Sequence, residues 1–492
     1  MNLSVTAEFL WLPVRRTSPV VKLHFLSENV KFQEMDIPLD PDHPEYYAAM
    51  DLRKYAGSVI EIRGDLPDDR LAGLRFHHTQ PDPVNHGRPQ IHFTAPTGWI
   101  NDPNGLVYAD GIWHLYHQWN PYGTAWGNMH WGHAVSRDLI TWKHQGIVME
   151  PDAFGTVYSG CGWQDRENTA GFGKNALLFF YTAAGGCNQW SADAGNQFTQ
   201  RLAVSADGGQ TLLKKGLILD HIKGGNRDPK VFYHPASKAY VMVLFLDDYD
   251  FAVFRSQDLI HWKESQRFSA PEMRECPDLF ELRVDNEPGQ KKWVFWSADG
   301  YYMVGQFDGY RFSPVSEVLP SYDTNLAYAA QTYAGVKDRV ISVAWLRTAQ
   351  DRGNFRGMMS VPSELSLIKQ EDGYRMRFRP VSELRSRFSP CNEYTSESEG
   401  IVIQPSGKPV ILKTSWQPGQ TKEITAGGKA IHVQAKSDEV LFIVDHGIIE
   451  YWADSGLIYG AAEVDEDVLI HPISVQSGVR KVEMFELLSV SA

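Results

Sequence analysis

Short segments in which apolar and polar residues alternate occur along most of the chain. Every second residue is apolar in 21–25, and Ile60 and Ile62 flank Glu61. An apolar residue at every second position is typical of a strand with one buried face. Because no stretch of useful length has a convincing helical periodicity, the pattern predicts an all-β protein.

The middle of the chain contains a weak internal repeat. Residues 133–143 (HAVSRDLITWK) resemble residues 251–263 (FAVFRSQDLIHWK), and residues 202–209 are a looser copy. Each copy follows a hydrophobic, aromatic segment, and two more such segments occur at 293–297 and 340–346. Five units of several short strands each are typical of a β-propeller, whose innermost strands begin at one rim of a central channel.

The segments on either side of the repeat follow a different pattern. We therefore predict an N-terminal β-sandwich over residues 1–85, a five-bladed β-propeller over 90–385 and a C-terminal β-sandwich over 390–492. The linker between the first two, near residues 77–89, is rich in proline and histidine.

Composition excludes some classes of function. The 492 residues include 60 acids and 47 bases, giving a net charge of −13, and no basic block is present, so nucleic-acid binding is not expected. The four cysteines are too few and too scattered for a disulfide framework. The longest strongly apolar stretch, near 176–184, is too short to cross a membrane. As it stands the sequence predicts a cytoplasmic protein, or a secreted one if a signal peptide has been removed.

Three acidic residues lie at equivalent points of three repeat units. Asp102 lies in WINDPNG, Asp228 in NRDP and Glu275 in ECPD. Each acid taken alone is typical of a turn, because proline or glycine follows it. Since inner strands of a propeller begin at one rim, however, the three carboxylates are expected to converge there. Clustered carboxylates suit glycoside cleavage, in which one protonates the leaving oxygen and another attacks or stabilises the oxocarbenium ion.

These three strings, in this order, resemble the signature motifs of glycoside hydrolase family 32, the invertases, inulinases, levanases and fructosyltransferases. Further family-like strings are YHQWNP at 116–121, WGNMHWGH at 126–133, YSG at 158–160 and GMMSVP at 357–362. The resemblance covers about residues 90–490. It implies a propeller followed by a β-sandwich, and a retaining hydrolase that releases terminal β-D-fructofuranosyl residues from levan, inulin or sucrose. The first 85 residues resemble, more weakly, a module found ahead of the catalytic domain in some bacterial levanase-like members.

The resemblance also implies roles for individual residues. Asp102 matches the nucleophile, Glu275 the general acid/base and Asp228 the transition-state stabiliser. Cys276 is expected to tune the acid, and Glu272, which lacks the Cys-Pro-Asp context, is expected to lie on the surface. Positions that line the fructose subsite are matched by five residues: Asn101, Gln118, Trp126, Ser159 and Arg227.

The expected binding partner is sucrose or a fructan, with no cofactor, metal, nucleic acid or membrane. His114 and His117 are three apart in a predicted strand, so they face opposite ways and make a poor metal pair. Two alternatives stay open: a fructosyltransferase with the same three carboxylates, and a noncatalytic fructan-binding protein. The sequence does not predict the oligomeric state. The N-terminal module is expected to be separable from the chemistry, because it carries no motif tied to the carboxylates.

Overall fold

The protein is described by a computed structural model over residues 1–67, 71, 73–82 and 87–488. The predicted boundary near residue 85 falls on residues 83–86, which lie outside these ranges. The N-terminal part is a β-sandwich, in which a sheet of order β1-β6-β3-β4 packs on a sheet of order β5-β2-β7. Its strands are β1 (Asn2–Ser4), β2 (Phe9–Val14), β3 (Val21–Ser27), β4 (Val30–Ile37), β5 (Tyr46–Asp51), β6 (Val59–Gly64) and β7 (Arg75–His77), with a 3₁₀ turn at Arg53–Tyr55.

Five antiparallel sheets form the propeller. Blade 1 contains β8 (Gly98–Ala109), β9 (Ile112–Asn120), β10 (His130–Ser136) and β11 (Lys143–Met149). Blade 2 contains β12 (Thr156–Asp165), β13 (Ala176–Ala184), β14 (Thr199–Ser205) and β15 (Leu213–Leu219), with helix α1 (Gln189–Asp193) between its middle strands. Blade 3 contains β16 (Arg227–His234), β17 (Ala239–Asp247), β18 (Asp250–Ser256) and β19 (Lys263–Ser269).

The last two blades are slightly irregular. Blade 4 contains β20 (Asp278–Arg283), β21 (Lys291–Trp296), β22 (Tyr301–Phe307), β23 (Phe312–Pro314) and β24 (Leu319–Pro320). Blade 5 contains β25 (Ala327–Thr332) and β26 (Val340–Leu346), followed after the short strand β27 (Phe355–Arg356) by β28 (Met358–Met359), β29 (Ser363–Gln370) and β30 (Gly373–Pro380). Strand β27 pairs in parallel with β8, so a segment of blade 5 joins the sheet of blade 1 and closes the ring.

The C-terminal part is a second β-sandwich, of a six-stranded sheet (β31-β40-β33-β36-β37-β38) and a four-stranded sheet (β32-β39-β34-β35). Its strands are β31 (Phe388–Thr395), β32 (Ile401–Ile403), β33 (Val410–Trp416), β34 (Lys422–Ala426), β35 (Lys429–Val433), β36 (Glu439–Asp445), β37 (Ile448–Ala453), β38 (Ile458–Glu463), β39 (Ile473–Val475) and β40 (Val479–Leu487). Short 3₁₀ segments lie at Ser382–Arg387, Asp454–Gly456 and Glu466–Leu469.

The all-β prediction and the five-bladed propeller are therefore confirmed. Strand β13 shows one limit of the alternation rule, because all nine of its residues are buried and its sequence is a continuous apolar run. Among the described residues, no helix has the length and apolar character needed to cross a membrane.

Candidate active site

The first two motifs lie inside or at the start of inner strands, whereas Glu275 and Cys276 of the third form a bend just before β20. Strand pairing shifts register between Ile100 and Pro103 in β8, and between Arg227 and Lys230 in β16. Such β-bulges bend a strand and redirect its side chains, and they are common beside active sites. Asp228 lies within its bulge with a left-handed φ of 64°. The two Asp-Pro motifs thus form bulges at the channel rim, not the chain reversals that their composition suggests.

A closed ring of hydrogen bonds orients Asp102. The amide of Asn101 donates to Asp102 Oδ1 (3.0 Å) and to Gln118 Oε1 (2.7 Å). Gln118 Nε2 donates to Ser159 Oγ (2.8 Å), and the Ser159 hydroxyl donates to Asp102 Oδ2. Trp99 Nε1 donates to Asn101 Oδ1 at 3.0 Å and so fixes which way the amide faces. Because both carboxylate oxygens accept a hydrogen bond, Asp102 is held in one orientation.

The family resemblance matches Asn101, Gln118 and Ser159 to the fructose subsite. All three are buried, and their side chains form hydrogen bonds within this ring. Their place in the structure is around the carboxylate of Asp102. The ring joins strands β8 and β9 of blade 1 to β12 of blade 2, so it depends on the packing of two blades.

Arg227 and Cys276 connect the three carboxylates. Arg227 Nη2 donates to Glu275 Oε1 at 2.8 Å, while its Nε lies 3.7 Å from Asp228 Oδ2. Cys276 Sγ lies 3.6 Å from Asp102 Oδ2 and 3.5 Å from Asp228 Oδ2, and the Cys276 amide donates to Asp228 Oδ2 at 3.0 Å. Asp102, Asp228 and Glu275 are therefore brought together at one site. The thiol contacts Asp102 and Asp228, and its expected tuning of the acid stays a prediction.

Tyr328 is a site residue that the motifs did not reveal. Its hydroxyl donates to Glu275 Oε2 at 2.9 Å, so the Glu275 carboxylate is held from both sides. Arg347 stacks over the Tyr328 ring at 4.2 Å. Tyr328 is next to a bulge in β25, at the point of blade 5 that corresponds to Arg227 in blade 3. The repeat itself was thus the signal that could have found it.

The electrostatics of the cluster follow from burial and mutual repulsion. Burial raises the pKa of Asp102, against the hydrogen bonds from Ser159 and Asn101 that lower it. Burial also raises the pKa of Asp228 to about 7, with Arg227 opposing the shift and the other two carboxylates adding to it. For Arg227, burial lowers the pKa, but the attraction of Asp228 and Glu275 outweighs it and the pKa is raised. The guanidinium therefore stays charged and offsets part of the negative charge.

Glu275 is more accessible than Asp228. Its side chain is 33% exposed, whereas that of Asp228 is 7% exposed. Glu272, three residues earlier, is exposed, as expected of a surface residue. Asp278 of the same motif is buried and pairs with Lys230 at 3.0 Å, while accepting from the amide and hydroxyl of Thr332. It braces the neighbouring inner strands and makes no contact with the three carboxylates.

Aromatic side chains line one side of the site. The Trp126 side chain lies at the rim and is 54% exposed, with its ring 5.9 Å from that of Tyr158 in an edge-to-face arrangement. Tyr158 immediately precedes Ser159 and also packs against Phe198 at 5.6 Å. We refer to Trp126, Tyr158 and Phe198 as the aromatic wall. Of the five residues matched to the fructose subsite, Trp126 is thus the one that is mostly exposed.

Among the residues that the structure describes, no group of three or more His, Cys, Asp or Glu side chains is arranged to hold a metal ion. His114 Nδ1 does lie 3.1 Å from His133 Nε2, but this pair is buried in blade 1. Burial lowers the pKa of His114 to about 4, so the imidazole is neutral over most of the physiological range.

Comparison with known proteins gives the family. Residues 92–380 match the sequence profile "Glycosyl hydrolases family 32 N-terminal domain". The chain belongs to glycoside hydrolase family 32. It is 35% identical to a levanase of Bacillus subtilis over 371 residues, covering 69% of this chain and 52% of the relative. It is 33% identical to an invertase of Debaryomyces hansenii over 298 residues, covering 55% and 54% of the two chains. The chain thus spans about half the length of the curated relatives it matches.

Solved structures of the family share the fold. An exo-inulinase from Aspergillus awamori aligns with a TM-score of 0.73 at 23% identity, over 82% of this chain and 99% of that one. A family 32 structure from Bifidobacterium adolescentis aligns with a TM-score of 0.69 at 18% identity, over 99% of both chains. The second alignment extends over the whole chain, so the order of sandwich, propeller and sandwich is shared.

Proposed function

We propose that this family 32 member is a retaining hydrolase that releases terminal β-D-fructofuranosyl residues from fructans of the levan or inulin type, from sucrose, or from both. The observation that carries the proposal is the convergence of Asp102, Asp228 and Glu275, which come from three blades and are linked by Cys276 and Arg227. The names of the relatives, levanase and invertase, agree with such substrates.

In the first step, Asp102 attacks the anomeric carbon of the fructosyl unit while Glu275 gives its proton to the departing oxygen. The bond to the leaving group breaks, and a covalent fructosyl-enzyme forms on the Asp102 carboxylate. In the second step, Glu275 takes a proton from water, which attacks the same carbon and releases fructose and free Asp102. The hydrogen-bond ring around Asp102 suits the attack because it fixes the nucleophile beforehand.

Asp228 is suited to binding sugar hydroxyls. Since its pKa is raised to about 7, the carboxyl is protonated below that pH and can donate as well as accept a hydrogen bond. The greater exposure of Glu275 suits a group that must meet both the leaving oxygen and water. Arg227 and Tyr328 hold Glu275, and the aromatic wall supplies the apolar faces against which sugar rings pack.

Product analysis on sucrose, inulin and levan tests the proposal. We expect fructose as the sole small product from the polymers, and equal fructose and glucose from sucrose. Asp102→Asn should reduce turnover to below about 0.1% of wild type, because no nucleophile remains. Glu275→Gln should also fail on sucrose, and azide, which needs no general base, should restore turnover on a fructoside whose leaving group needs no proton.

Glu272→Gln is the matched control, since it makes the same change in the same segment at an exposed position. It should retain wild-type kinetics. Tri- and higher saccharides formed from sucrose would instead indicate a fructosyltransferase. Fructan binding without turnover by the wild type would indicate a noncatalytic binding protein. An adduct on Asp228 rather than Asp102 in trapped enzyme would overturn the assignment of roles.

A further inference from the structure

The N-terminal sandwich holds a propeller loop inside its own core. The loop joins β9 to β10 and comprises residues 121–129. Its Tyr122 is 1% exposed and belongs to the hydrophobic cluster of the sandwich, with residues such as Leu12 and Phe25. The side chain of Gln33 on β4 hydrogen-bonds to Tyr122 and lies 3.1 Å from His130 Nε2. The sandwich and this loop therefore pack as one unit, while the separability of the module from the chemistry stays a prediction.

Asn128 fixes the other end of the same loop. Its Oδ1 accepts from the Asp36 amide (2.8 Å) and its Nδ2 donates to the Asp36 carbonyl (2.7 Å), so the side chain makes both bonds that a neighbouring strand would make to β4. Strand β4 is the edge of its sheet, where such groups are free to pair. Asn128 Nδ2 also donates to Asn120 Oδ1 at 3.1 Å, which ties this end to the propeller. Asn128 adopts a left-handed φ of 43° in doing so.

Trp126 stands between these two anchors. The loop thus leaves the sandwich core at Tyr122, places Trp126 against Tyr158 in the aromatic wall and returns to β4 at Asn128. Strand β4 holds the neighbouring rim loop as well. Buried Glu34 accepts from the Gln189 amide at 2.9 Å, at the start of the segment that leads to Phe198. Two of the three aromatic side chains therefore lie on loops that β4 holds.

We propose that strand β4 of the N-terminal sandwich is a positioning element of the active site, which holds the aromatic wall in place for the sugar substrate without touching the sugar itself. The inference rests on the proposed function, because it concerns the binding of that substrate. Asn128 acts through Trp126 and is a positioning residue. Since the wall packs against the sugar both before and during reaction, loosening it should weaken binding uniformly and raise KM with little change in kcat.

Asn128→Gly tests the inference, because it removes the side-chain amide while glycine adopts the left-handed backbone freely. We expect KM for sucrose or a fructan oligosaccharide to rise about five- to tenfold, as for the loss of one or two hydrogen bonds, with kcat within about twofold. Asn128→Asp keeps the acceptor for the Asp36 amide, tolerates the same backbone, and should give a smaller rise. Asn29→Gly is the matched control, since Asn29 has a φ of 64° in the exposed turn before β4.

A double-mutant cycle decides whether Asn128 acts through Trp126. Trp126→Ala should raise KM, and adding Asn128→Gly to it should cause no further rise, because the wall residue is already missing. Additive effects, an unchanged KM in Asn128→Gly, or a fall confined to kcat would overturn the inference. Hydrogen exchange gives a readout that needs no turnover: residues 121–129 should exchange faster in Asn128→Gly than in Asn29→Gly. If the wild type cleaves no fructoside, the proposed function fails, and unchanged exchange would remove the positioning role separately.

Discussion

The two β-sandwiches attach to the propeller in different ways. The C-terminal sandwich shares a hydrophobic core with the propeller, in which Phe378 of β30 stacks on Tyr459 of β38 at 5.3 Å. The N-terminal sandwich has a core of its own, to which the propeller contributes Tyr122, and its remaining contacts include hydrogen bonds from β4. The first attachment is a continuation of the fold. The second combines one buried tyrosine with hydrogen bonds to loops of the propeller.

A buried charged triad strengthens the C-terminal attachment further. His92, ahead of the first blade, lies 2.9 Å from Asp445 and 3.6 Å from Glu450, and all three side chains are fully buried. Burial lowers the pKa of His92, but hydrogen bonds to the two carboxylates outweigh it and raise the pKa to about 9. Asp445 also accepts from the amides of Gln90 and Ile91, so the triad fixes the segment that enters the propeller. We therefore expect the C-terminal sandwich to contribute mainly to stability, and the N-terminal one, on the proposal above, to the site.

The largest expected effect comes from breaking the triad. His92→Gln leaves two buried carboxylates without their cation and should lower the free energy of unfolding by about 3–5 kcal/mol in urea titrations. Because the core is shared, propeller and C-terminal sandwich should still unfold in one transition. His432→Gln is the control, since His432 pairs with Glu423 at 2.8 Å in the same sandwich but is mostly exposed. It should cost less than about 1 kcal/mol. Equal losses in the two variants would contradict the contrast.

The two attachments should respond to pH in opposite directions. The folded pKa of His92 is raised to about 9, so its contribution is complete below its unfolded pKa of about 6.5 and is lost as the pH rises through 9. By the linkage relation, the contribution of His92 to the free energy of unfolding is on the order of 3 kcal/mol. Buried His130, the partner of Gln33, has its pKa lowered to about 3, so stability is lost as the pH falls below about 6.5.

Unfolding free energies of the wild type relative to His92→Gln and His130→Gln, measured from pH 4 to about 10, separate the two effects from other titrating groups. The wild-type advantage over His92→Gln should shrink toward high pH, and that over His130→Gln toward low pH. If both differences in unfolding free energy changed with pH in the same direction, the contrast between the two attachments would be wrong.

Much of the fold could be predicted from the sequence, because alternation and the repeat are both local signals. The three carboxylates were found because they recur at equivalent points of the repeat. Contacts made across the fold were not predictable: Tyr328 meets Glu275 only when blades 4 and 5 pack together. Asn128 pairs with Asp36 only because an edge strand of another domain lies beside it. Taken alone, the Asp-Pro motifs favour turns, but pairing within the sheet overrides that local preference and leaves a bulge.

The smallest effect is expected where one loop meets both sandwiches. Asp351 lies 3.9 Å from Arg16 of the N-terminal sandwich, and both side chains are about one-third exposed. Its neighbour Arg352 is buried, donates to the Gly447 carbonyl at 2.9 Å and contacts Glu463 of the C-terminal sandwich. Asp351→Asn should change the free energy of unfolding by less than about 1 kcal/mol, because water and salt screen an exposed pair.

Glu463→Gln makes the same acid-to-amide change where this loop contacts the C-terminal sandwich. Glu463 accepts from the amides of Ala349 and Gln350 and also faces Arg352. It should cost about 1.5–3 kcal/mol, because hydrogen bonds to a charged group are lost at a mostly buried position. Thermal unfolding in 10 mM salt and in 0.5 M salt, between which the screening length falls about sevenfold, distinguishes the two variants. The Asp351→Asn difference should vanish in salt while the Glu463→Gln difference persists. A larger loss of unfolding free energy in Asp351→Asn than in Glu463→Gln would mean that the N-terminal attachment contributes to stability. The contrast between the two sandwiches would then be wrong.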